Sequence, residues 1–117
     1  MKFSILLLYI VISQSIYSQD YMQYSILKNK ARYCISVNKT DSAEIIYNQI
    51  FSTYGKLFPY DNSAALNLFV AKKDTNKVLK IITDMIHYGS NIEDFKSDPK
   101  LNFLRNLKRW NSLDTVI

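Results

Sequence analysis

The chain has 117 residues, about one domain's worth, and 48% of them are hydrophobic. Two glycines, two prolines and 14% aromatic residues exclude collagen-like, linker-like and disordered classes. Fifteen Lys and Arg against ten Asp and Glu give a net charge of +5, yet the densest basic groupings are the pairs Lys72-Lys73 and Lys108-Arg109. That excludes a polycationic arm, and a single cysteine, Cys34, excludes an intrachain disulfide or a thiolate-rich metal centre.

Lys2, the apolar stretch from Phe3 to Ile12 and the polar run Ser13-Gln14-Ser15 read as a secretory signal peptide. The stretch is short of the roughly 20 apolar residues a spanning helix needs. Cleavage after Ser15 uses the small pair Ser13 and Ser15, whereas cleavage after Ser18 leaves Gln19 first. With 1–18 as the leader, 19–117 is a helical domain in the periplasm or outside the cell, with no membrane span left.

Helical spacing runs through that domain. Leu27, Ala31, Cys34 and Val37 recur at three or four residues, as do Ala43, Ile46, Tyr47, Ile50 and Tyr54. The polar turns Asn38-Lys39-Thr40-Asp41 and Lys72-Lys73-Asp74-Thr75 divide hairpins at about 21–55 and 60–89. Each hairpin closes on a Tyr-Gly pair, Tyr54-Gly55 and Tyr88-Gly89, where glycine admits the left-handed conformation of a helix end. Asp41-x-x-Glu44 and Ser90-x-x-Glu93 have the form of capping boxes. Asp98-Pro99 suits the start of a final helix to about Trp110, with Leu101, Leu104, Leu107 and Leu113 inward, in a closing segment at about 91–113.

Gly55 and Gly89 lie 34 residues apart, and the same shift brings Ala31 onto Ala65, Lys39 onto Lys73, Cys34 onto Leu68 and Tyr47 onto Ile81. Two helical hairpins at this period resemble tetratricopeptide repeats. The resemblance covers roughly 24–89, with Leu27, Ala31, Cys34, Ala43 and Tyr47 at the large, small, large, small and aromatic positions of the first unit. Gly55 stands where proline is usual and Asp61 where a large apolar residue is usual. Lys77 stands where a small residue is usual, with Val78 one place later. The resemblance implies an all-α fold of antiparallel hairpins stacked as a short superhelix and closed by a C-terminal capping helix. It also implies a groove lined by the first helix of each hairpin. Lys28 and Arg32, four residues apart, and Asn62 are then candidates to clamp a peptide carboxylate, with Leu66, Phe69 and Val70 as groove floor.

Catalysis has little to work with: one histidine, His87, at a helix end, two glutamates in capping positions, and no glycine-rich phosphate loop. We expect no catalytic residues, no metal and no cofactor. The expected partner is a protein or peptide, for which an acidic surface fits the charge; nucleic acid is not expected, because no basic stripe or aromatic–basic motif is present. Two repeats are fewer than the roughly three a solenoid needs, so the terminal helix, or a second copy in a homodimer, must complete the core. The alternative to a peptide-binding module is a small secreted basic effector or inhibitor that uses the hairpins as scaffold.

Overall fold

A computed structural model describes residues 20–115, and all regular structure among them is helical. The leader expected at 1–18 lies outside the described residues. Helix α1 spans described residues 20–36 and buries Tyr24, Ala31 and Cys34, with Leu27 and Ile35 half-buried beside them. It closes on Asn38 at φ 61°, where the Asn38 and Lys39 amides donate to the carbonyls of Ile35 and Cys34. Asparagine is among the few side chains that tolerate this left-handed turn.

Helix α2, Thr40–Tyr54, buries Ala43, Ile46, Tyr47, Ile50 and Phe51. The capping box expected from Asp41 and Glu44 does not form. Closing α1 through the Lys39 amide leaves Lys39 as the N-cap and pulls Asp41 inside the helix. Both carboxylates instead hold the Lys72 ammonium, Glu44 at 2.9 Å and Asp41 by a shorter contact. That cation keeps the Asp41 carboxyl below its usual range, and the two carboxylates raise Lys72 above its own.

After Gly55 at φ 80°, the chain turns back through buried Leu57 and a 3-10 turn, Pro59–Asp61, into α3, Asn62–Ala71. Helix α3 buries Ala65, Leu68 and Phe69, and Ala64, Leu66 and Val70 are half-buried. This is the packing its nearly all-round apolar sequence requires. A turn with Lys73 at φ 53° joins it to α4, Thr75–His87, capped by Asp74, whose carboxylate accepts from the Lys77 amide at 3.2 Å. Helix α4 presents Val78, Leu79, Ile81 and Ile82 to the core and packs along α3.

The register differs in one respect from the 34-residue shift. Ala31 and Ala65 are both buried 34 apart, but the left-handed turn residues Asn38 and Lys73 lie 35 apart. Ala43, Ile46 and Tyr47 then match Val78, Ile81 and Ile82 at 35, so Val78, not Lys77, takes the small buried position. One extra residue before the second turn causes this, and the shorter α4 restores 34 at the glycines.

The closing segment is not one helix. Asn91 rather than Ser90 caps α5, Ile92–Lys96, accepting from the Glu93 amide at 3.0 Å, because the Ser90 amide is used in ending α4 on the Met85 carbonyl. The helix expected from Pro99 to Trp110 is broken into a 3-10 segment, Pro99–Leu104, the short α6, Lys108–Asn111, and a 3-10 turn, Ser112–Thr115. Asp98 does cap the first of these, its carboxylate accepting from the Lys100 amide at 3.0 Å. The reason for the break is the buried period. Leu101, Leu104, Trp110 and Leu113 are buried and Leu107 half-buried, a spacing of three that a 3-10 helix keeps on one face and an α-helix spirals away from.

Candidate functional site

The loop after α2 carries a residue that decides the local architecture. Asp61 is 4% exposed, too buried for a carboxylate to be left without partners. Its Oδ2 accepts from the Tyr24 hydroxyl at 2.6 Å, and its Oδ1 lies 3.3 Å from the Lys28 ammonium, so two successive turns of α1 are tied to the loop. The Tyr24 oxygen in turn accepts from the Phe58 amide at 2.8 Å. Burial, with the hydrogen bond to Asp61 second, raises the Tyr24 phenol above the usual tyrosine range.

Above this junction lies a cavity of about 340 Å³ walled by Tyr21, Tyr24, Tyr54, Phe58 and Tyr88, with Lys56 and Asp20 at its edge. The walls follow from the helix ends. Tyr54 is the last residue of α2 and Tyr88 the C-cap of α4, and the glycine after each reverses the chain. The return after Gly55 brings Lys56 and Phe58 back over α1. The Phe58 and Tyr24 rings stand 4.4 Å apart, Tyr54 meets Tyr24 edge-on at 5.5 Å, and Tyr21 stacks on Phe58 at 6.0 Å. The Tyr54 hydroxyl donates to the Asp20 carbonyl at 3.3 Å. The Lys56 ammonium sits 5.4 Å from the centre of the Tyr88 ring, within cation–π range. Such a cavity favours a flat or apolar group, and at its edge the Lys56 ammonium attracts an anionic end while the Asp20 carboxylate repels one.

The residues expected to clamp a peptide do not form an open groove. Lys28 and Arg32 do share α1, but Lys28 is engaged by Asp61 and only Arg32 is exposed. Asn62 is fully buried, and among the described residues neither its amide oxygen nor its nitrogen has a hydrogen-bond partner. Leu66 is half-buried against the core. Phe69 is 0% exposed between Tyr47 and Phe51, so its ring is not available to a groove. The two Tyr-Gly pairs end helices α2 and α4 and their tyrosines also wall the pocket, so their recurrence is its one signal in the sequence.

Tyr47 gives this region a pH signature. Burial pushes its phenol from the usual 10 up to about 12, opposed by the Arg32 charge and assisted by that of Asp61. The folded chain therefore holds this proton more tightly than the unfolded one. That stabilisation is intact below pH 10 and is lost as pH rises through 12. Circular dichroism against pH will show wild type weakening in this window, with Tyr47→Phe weakening less; identical curves would contradict the assignment.

Among the described residues, no helix is long and apolar enough to cross a membrane, and no group of three His, Cys, Asp or Glu side chains is placed to hold a metal. Comparison with protein-family models, with curated proteins and with solved structures gave no match.

Proposed function

We propose that the chain is an exported, non-enzymatic binding module of tetratricopeptide-like build that captures a protein or peptide through its aromatic pocket. In this reading the two hairpins stack as a short superhelix and the segment from Asn91 onward caps the open face of the last one, as terminal elements of repeat proteins do. Support comes from the recurring left-handed turns and from the buried sets Ala43, Ile46, Tyr47 and Val78, Ile81, Ile82. The observation that carries the functional part is the pocket: five aromatic rings around about 340 Å³, lined also by Lys56 and Asp20. Its ligand is an apolar or aromatic side chain next to a carboxylate, such as the C-terminal residue of a peptide.

The reading as a basic effector has less to rest on, because Lys28, Lys72, Lys80 and Lys96 are paired with carboxylates of the same chain. Phe58 and Tyr88 are 46% and 43% exposed, so alanine there spares the core. Short peptides ending in Phe or Leu should bind as free acids and lose about tenfold on amidation or with Lys56→Ala, roughly the value of one charge-assisted hydrogen bond. Phe58→Ala with Tyr88→Ala should abolish binding, measured by calorimetry. Binding that survives the double variant and is lost with Arg32→Glu would move the site to the α1 surface.

A further inference from the structure

Helix α1 has two apolar sides. One carries Tyr24, Ala31 and Cys34 into the core. The other presents Met22, Ile26, Tyr33 and, in the continuing turn, Val37, whose amide donates to the Tyr33 carbonyl. Their exposures are 60%, 54%, 65% and 41%. At about 100° per residue these four fall within roughly 60° of one another, on the side away from the core. Ile45 on α2, 68% exposed, extends the patch across a shallow depression of about 430 Å³ floored by Cys34 and Ile46. The pocket proposed above is on another side of the helix, so the two surfaces stand or fall separately.

We infer that this patch pairs with a second copy of the chain, α1 against α1 and antiparallel, about a two-fold axis between Asn29 and Lys30. The stripe reads the same from both ends: the spacings are four, seven and four residues. Antiparallel pairing places Met22 against Val37 of the partner subunit and Ile26 against Tyr33 of the partner subunit. A two-fold interface must have this self-complementarity. Area agrees: taking roughly 200 Å² for a large side chain, the five exposed residues offer on the order of 550 Å² per copy. A symmetric pair then removes about 1,100 Å², above the ~1,000 Å² that a specific interface needs. The patch on one copy lies toward the upper end of the roughly 300–600 Å² that the largest apolar patch of a typical monomer covers. The two copies of Lys30 meet beside the axis, so the pairing is opposed by charge and tightens as salt screens it.

The test needs no ligand and uses the purified chain, its amino terminus defined by mass spectrometry, in analytical ultracentrifugation at two salt concentrations. A dimer that tightens with salt is expected, and Tyr33→Glu should weaken it about 30-fold or more, as loss of a central contact does. Asn29→Cys should oxidise to a disulfide-linked dimer through residue 29, whereas Ser63→Cys, exposed on α3, should not. A monomer at several hundred micromolar would overturn the inference. A dimer that ignores Tyr33→Glu and does not link through residue 29 would overturn it equally.

Discussion

Replacing Phe69 by alanine should destabilise the chain by about 3–5 kcal/mol, the range for removing a fully buried phenylalanine. The ring is 0% exposed and lies 6.3 Å from both Tyr47 and Phe51, so it joins α3 to two successive turns of α2. Domains of this size are stable by only about 5–15 kcal/mol, so the variant should be marginally folded at 25 °C. Urea unfolding followed by circular dichroism measures the difference. A loss under about 1 kcal/mol would mean that the ring is peripheral and the α2–α3 packing is otherwise arranged.

Asp61→Ala should cost about 3–5 kcal/mol, because it leaves the half-buried Lys28 ammonium without its partner and the buried Tyr24 hydroxyl without its acceptor. Tyr24→Phe keeps the ring that walls the pocket and the Lys28–Asp61 pair, so it should cost less, about 1–3 kcal/mol, from the lost donor to Asp61 Oδ2 and the lost acceptor for the Phe58 amide. The two changes share one hydrogen bond, and the double variant should lose less than the sum. Additive losses would show that Tyr24 and Asp61 act independently. Since the Phe58 amide donates to the Tyr24 oxygen, either variant should also loosen the pocket.

The helices were legible in the sequence because their cues are local: three-and-four spacing, polar turns, and glycines at 55 and 89, both at positive φ. Caps were less legible, because the Asp41 and Ser90 signatures compete with backbone bonds that end the preceding helix, and those bonds won. The period of three from Leu101 to Leu113 was visible but was read as helical spacing in general, which conceals a 3-10 segment. Asp61 was visible only as a misplaced residue. Its partners Tyr24 and Lys28 are 37 and 33 positions away, and nothing local announces such a pairing. Phe69 was assigned to a groove floor because a helix apolar on nearly every side does not reveal which side faces solvent. The pocket joins residues from three helix ends and a loop, so it emerges only once both Tyr-Gly turns and the Phe58 return are assembled.

The most direct test of the central claim is nuclear magnetic resonance mapping of a free-acid peptide ending in phenylalanine onto the isotopically labelled chain. Shifts are expected at Lys56, Phe58, Tyr54 and Tyr88, with the α1 face around Arg32 unmoved. Shifts confined to Arg32 and the exposed side of α3, with Phe58 and Tyr88 silent, would contradict it.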